Sequence, residues 1–124
     1  MKKAAQETPA LCSSFHSAIE LIGRRWTGAI IYLLLKSRCR FATLRDAIPD
    51  ITDRMLSERL QELEQEGIVD RTVIPESPIR VEYSLTPKGR ALATAMDAVG
   101  AWAHKWGKPA VNDAAHPKPR KKRA

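Results

Sequence analysis

No stretch of this chain stays apolar for longer than Ala29 to Leu35, far short of the roughly 20 residues a membrane-spanning helix needs. Lys2 and Lys3 open the chain, but no apolar segment follows them, so the start does not read as a secretory signal. Cysteine is scarce: Cys12 and Cys39 fit no metal-ligand or redox-dipeptide spacing and suggest a reducing compartment. His16, His104 and His116 share no ligand spacing either. Nucleophile motifs, phosphate-cradling glycine loops and supported carboxylate pairs are also missing. These absences argue against a membrane protein, a metalloprotein and an enzyme. No cofactor is expected, and the cytoplasm is the expected location.

What is present is basic charge, unevenly spread. The 124 residues carry a net charge of +7, which directs attention to acidic partners. Residues 108–124 hold six bases and one acid, so +5 of the total lies there and only +2 is left for residues 1–107. Within that body, residues 24–59 have eight Lys or Arg against four acids, whereas 62–70 have four acids and no base. The folded part is polarised. Its tail, Lys118-Pro119-Arg120-Lys121-Lys122-Arg123, reads as a solvated run suited to non-specific phosphate attraction.

The periodicity divides the rest. Residues 1–11 read as a loose arm, 12–107 as one domain and 108–124 as a disordered tail. Ser13 or Ser14 is placed to cap a first helix carrying Phe15, Ala18, Ile19 and Ile22, with Gly23 at its end. A second helix spans about Arg25 to Lys36, with Trp26, Ile30, Leu33 and Leu34 inward. Residues 37–40 read as a loop and Phe41 to Ile48 as a short helix. After the turn Pro49-Asp50-Ile51, Thr52 caps a helix running to Glu66, with Gly67 just past its end. The period then shortens to two over 69–73 and 81–85, a hairpin whose tip holds Pro75 and Pro78. Thr86-Pro87 starts a last helix that continues to Trp106.

Two helices joined by a tight turn and followed by a hairpin are the parts of a winged helix-turn-helix. The class is mainly α with a small β-hairpin wing. On the helix from Thr52, Leu56, Leu60 and Leu63 form the inner stripe, while Arg54, Glu58, Gln61 and Gln65 lie opposite, with Ser57 at their flank. Arginine reads guanine and glutamine reads adenine in the major groove. The alternative is a solvated face on which Arg54 and Glu58 pair with each other. Arg80 is expected at the hairpin tip beside Pro78 and Ile79, placed either for a groove or phosphate contact or for solvent. Leu92, Met96, Val99, Trp102 and Trp106 recur at helical spacing, a stripe longer than so small a domain covers alone.

The chain resembles the HxlR-type winged-helix transcriptional regulators of bacteria, relatives of the MarR type. The resemblance rests on Leu21-Ile22-Gly23-Arg24-Arg25-Trp26, Arg40-Phe41 with Leu44-Arg45, Ile48-Pro49-Asp50-Ile51-Thr52 and Met55-Leu56-Ser57-Glu58-Arg59-Leu60. It continues through Gly67-Ile68-Val69, Arg71-Thr72-Val73, Arg80-Val81-Glu82-Tyr83-Ser84-Leu85-Thr86 and Lys88-Gly89, and covers about residues 12–107. It implies a homodimer on palindromic double-stranded DNA at the nucleoid. The first and last helices then form the interface, with Phe15 and Ile19 joining the stripe above. The DNA-contacting set is Arg40, Thr43, Arg45, Thr52, Arg54, Ser57, Glu58, Gln61 and Arg80. Cys12 resembles the N-terminal cysteine that senses oxidants or electrophiles in some members, although Ser13 follows it where the family often has proline. Cys39, between Arg38 and Arg40, is a second candidate sensor. Packing as a small buried hydrophobe is the other fate open to Cys12. A small-molecule effector near Trp26, Trp102 and Trp106, or a partner protein on the recognition helix, are the rival readings.

Overall fold

The structure is a computed structural model and describes residues 9–108. The expected arm and tail therefore lie, save for residues 9–11 and Lys108, outside the described residues. The elements in order are α1 (Ser13–Ile22), α2 (Thr27–Lys36), β1 (Cys39–Arg40), α3 (Phe41–Ala47), α4 (Asp53–Gln65), β2 (Val69–Ile74), β3 (Arg80–Leu85), α5 (Pro87–Arg90) and α6 (Ala93–Trp106). This is the mainly helical winged arrangement expected from the periodicity. No described helix is long and apolar enough to cross a membrane.

The core sits where α2, α3 and α4 meet the sheet. Ile30, Ile31 and Leu34 of α2, Leu44 of α3 and Leu56, Leu60 and Leu63 of α4 are all within 1% of full burial. Ile68, Val69, Tyr83 and Leu85 close it from the hairpin side. Burying a leucine or isoleucine contributes about 1.5–3 kcal/mol, so these side chains fix the axis of α4 against the rest of the fold. The sheet is antiparallel in the order β1-β3-β2, with Val69 opposite Leu85 and Ile74 opposite Arg80.

Four local readings are corrected. Residues 37–40 are not all loop: Cys39 and Arg40 pair with Tyr83 and Glu82 as a third strand. Two residues are too few to show a period, so only the partner strand reveals them. The first helix is capped by Cys12, whose sulfur accepts from the Phe15 N–H at 3.5 Å, and Ser13 is already helical. The second helix starts at Thr27 because Trp26 takes a left-handed φ of 77°. The last helix is broken: the Leu92 N–H reaches back to the Gly89 carbonyl at 3.0 Å, and α6 starts afresh at Ala93. There Gly89 is pressed so closely on the Ile68 carbonyl that no side chain fits, while Leu92 turns in against the core.

The apolar stripe of α6 divides in two. Leu92 and Met96 pack against the core. Val99, Trp102 and Trp106 are 60–65% exposed, as are Phe15 (59%) and, less so, Ile19 (47%) of α1. α1 and α6 each contribute no buried residue.

Candidate nucleic-acid interface

α4 is fixed at both ends by its sequence. Thr52 is its N-cap, the hydroxyl accepting from the Met55 N–H at 3.1 Å, and Asp53 places a negative charge on the first turn. Before it, Asp50 takes a φ of 68°, which folds the turn between α3 and α4 tightly enough to bury Ile48 and Ile51. At the other end Gly67, with φ 76°, lets the Ile68 N–H bond the Leu63 carbonyl (2.9 Å) and its own N–H bond that of Glu64 (3.0 Å). The Thr86 hydroxyl donates to the Gly67 carbonyl at 2.6 Å and accepts from the Gly89 N–H at 3.0 Å. Lys88 donates to the Glu66 carbonyl at 2.6 Å. The end of the helix, the base of the hairpin and α5 are thereby buckled together.

With the leucines inward, Arg54, Ser57, Glu58 and Gln61 are all exposed on the opposite side. Arg54 and Glu58 are paired at 3.2 Å, the arrangement the sequence offered as the alternative for this face. An exposed pair of this kind contributes at most about 1 kcal/mol and is readily exchanged. Arg45 of α3 is held by Asp46 (3.3 Å) and Asp53 (3.5 Å), and the Asp46 carboxylate raises its pKa further. Thr43 and Arg40 are exposed, Arg40 at the start of α3. Arg80 is not at the hairpin tip: it forms the first rung opposite Ile74 and is gripped by Glu76 (3.3 Å) and Glu82 (3.4 Å). Glu82 also meets Arg38 at 3.5 Å. The residues left at the tip include the exposed Ile79.

The two flanks of α4 differ. On one, Arg59 is only 9% exposed, a burial that no local pattern in the sequence signals. Its Nε donates to the Arg25 carbonyl at 3.1 Å and its Nη1 to Glu62 at 3.1 Å. Glu62 is in turn met by Arg24 at 3.2 Å. α4 is thus tied to the turn between α1 and α2, where the Arg25 guanidinium lies 4.6 Å over the Trp26 ring. On the other flank, a cleft of about 590 Å³ opens towards the hairpin, lined by Ser57, Leu60, Gln61, Glu64, Gln65, Arg71 and Tyr83.

The cysteines are both free thiols in contrasting settings. Cys12 is exposed, and the N–H groups of Phe15, first, and Ser14 hold its pKa below the ordinary thiol value. Cys39 is half-buried, and burial pushes its pKa up. The charges of Arg38 and Arg40 were expected to favour a Cys39 thiolate. They do not, because its sulfur is desolvated and its thiol is aimed at the Ser37 carbonyl, 3.5 Å away.

Comparison with known proteins agrees with this geometry. Residues 21–111 match the family model for the HxlR-like helix-turn-helix. The chain is 45% identical over 103 residues to the uncharacterized HTH-type transcriptional regulator YvaP of Bacillus subtilis (strain 168), covering 83% of this chain and 95% of that protein. It is 44% identical over 99 residues to the HTH-type transcriptional regulator YodB of the same organism, covering 80% of this chain and 88% of YodB. The reduced form of YodB superposes with a TM-score of 0.72 over 82% of this chain and 99% of that one. YodB has also been solved after diamide treatment and bound to quinone. The redox regulator HypR in its oxidized form is 35% identical and matches at a TM-score of 0.73, over 77% of this chain and 99% of that one.

Arg59→Ala removes charge-assisted hydrogen bonds from a buried position, each of about 1.5–3 kcal/mol. Chemical denaturation should show a loss of that order. Arg24→Ala, which breaks only a half-exposed pair, should lose less than about 1 kcal/mol.

Proposed function

This chain belongs to the HxlR-like helix-turn-helix family of transcriptional regulators, and we propose that it works in the bacterial cytoplasm as a nucleoid-bound homodimer that reads a palindromic operator and releases it when Cys12 is oxidised. The observation that carries this reading is α4 itself. Leucine burial, the Thr52 cap and Arg59 hold it rigidly, while Arg54, Ser57 and Gln61 stand clear in solvent. Those are the side-chain types that address base edges and phosphates. Arg40, Thr43, Arg45 and Arg80 supply the flanking contacts. For Arg45 and Arg80, phosphates take over from the carboxylates that hold them now.

Two further features support the finer parts. Exposed Phe15, Ile19, Val99, Trp102 and Trp106 make a surface of large apolar side chains that a second copy would cover, aromatic anchors being the groups that dominate interfaces. Cys12 caps α1, the helix that carries two of these residues, and its thiolate is favoured. Oxidation joins the Cys12 sulfur to a second thiol, that of Cys12 in the other copy or of a small-molecule thiol, the oxidant taking the two electrons and two protons. The sulfur cap of that helix is thereby altered. Recognition helices of a dimer meet half-sites roughly 34 Å apart, so a small rotation between subunits misaligns them.

The DNA upstream of the protein's own reading frame, or duplexes enriched from a randomised pool, serve as operator in mobility-shift assays. Arg54→Ala should cost about 1–3 kcal/mol there and much less on random DNA, whereas equal losses would make Arg54 a phosphate contact. Val99→Asp with Trp102→Glu should give monomers in sedimentation analysis; an unchanged dimer would place the interface elsewhere. Peroxide or diamide should weaken operator binding by the native protein, reversibly with reductant, and spare Cys12→Ser. Because the Cys12 pKa is lowered, this reactivity should persist at a lower pH than that of an ordinary thiol. An equal response from Cys12→Ser would make Cys12 a packing residue.

A further inference from the structure

Arg71 stands where the pleat of the hairpin calls for a core side chain. Residues 69, 71 and 73 of β2 share one face, and across the ladder they meet Leu85, Tyr83 and Val81. Val69, Tyr83 and Leu85 are buried, so this is the face turned towards the core. Beyond Val69 this face leaves the core, so that Val73 is exposed as well as Arg71, and at the level of Arg71 the sheet fronts the cleft of about 590 Å³ beside α4. Buried Leu60 and Tyr83 line the base of that cleft, and Ser57, Gln61 and Glu64 of α4 form its wall.

Arg71 also differs from three of the arginines singled out in the sequence, while the fourth, Arg40, likewise has no carboxylate within 4.0 Å among the described residues. Arg45, Arg54 and Arg80 each lie within 3.5 Å of a carboxylate. Among the described residues, none has a carboxylate oxygen within 4.0 Å of the Arg71 guanidinium. A cation with no partner to exchange, facing the flank of a recognition helix, is placed for an anion.

We propose that the cleft seats one phosphate of the DNA backbone, with Arg71 as its cation and Ser57 and Gln61 as neutral donors. The assignment rests on the regulator reading above. A helix lying in the major groove, roughly 12 Å wide, has a sugar-phosphate strand rising along each flank. The flank of α4 turned to the hairpin is the one that carries this cleft. A guanidinium fork matches the paired non-bridging oxygens of a phosphodiester. Glu64 lies two turns beyond Ser57 on the same wall and repels an anion, which confines the seat to the end beside Ser57 and Gln61. Such a contact fixes the register of α4 on the duplex and carries no sequence information.

The test measures affinity for an enriched and a scrambled duplex across a range of salt. Arg71→Ala should weaken both by the same factor and lower the log–log salt slope by about 0.9 per subunit. Arg71→Lys should keep the slope. Should Arg71→Ala fold poorly by its thermal melt, Arg71→Gln is measured in the same way. An unchanged slope, or a loss confined to the enriched duplex, overturns the assignment while leaving the regulator reading intact. Failure of the native protein to bind either duplex overturns both. Inorganic phosphate alone, titrated against the Arg71 Nε–H resonance, should give no saturable shift. A saturable one would assign the cleft to a free anion and not to DNA.

Discussion

The guanidinium of Arg59 sits where an unpaired charge cannot remain, and much of the molecule is arranged to satisfy it. Its partners come from two places: Glu62 on its own helix and the Arg25 carbonyl in the turn that joins α1 to α2. That carbonyl is available because Trp26 takes a left-handed conformation and ends the turn abruptly. The leucine row sets how deeply α4 lies, but an apolar row leaves rotation about the helix axis loosely determined. A directional bond on one flank removes that freedom. The outward angle of Arg54, Ser57 and Gln61 is therefore set from behind, by a residue that is itself almost wholly buried.

The outer surface follows a different rule. Three of the arginines nearest to where a duplex would lie are already engaged by Asp46, Asp53, Glu58, Glu76 or Glu82. These exposed pairs are weak, so they hold the side chains in place without committing them. A phosphate must compete with a carboxylate for each, and when it succeeds the carboxylate is left facing a polyanion. On the proposed reading, binding at these positions would be an exchange with a small net gain, which would limit attachment to arbitrary DNA. Such an exchange would suit a folded body of low net charge.

The sequence made the reading frame of the fold legible wherever a side chain acts on its own backbone. Thr52 as cap, Gly67 past the helix end, the leucine stripe and the alternation of 81–85 all work over a few residues, and the structure has them as expected. What escaped depends on distant partners. β1 exists only because β3 lies beside it. Arg59 carries a surface letter at an inward-flanking position, and only the carbonyl of a residue 34 positions away shows why it is buried. Arg71 had a local sign, a charge on the apolar parity of its strand, yet that sign gains meaning only once the neighbouring cleft is seen. The break at Leu92 is set by the closeness of Gly89 to Ile68, again a contact between separate elements.

The Thr86 buckle has a consequence for how the protein meets a groove. One hydroxyl joins the end of α4 to the start of α5 at the foot of the hairpin, and Lys88 repeats the link a few ångströms away. Helix and wing share little freedom to move separately, so little conformational entropy is lost when they settle on a duplex. The same economy removes a means of adaptation. A groove of slightly different width cannot be met by splaying the wing from the helix. Any adjustment must come from the pose of the whole body, or from deformation of the DNA, so the stiffness of the target sequence becomes part of what is recognised.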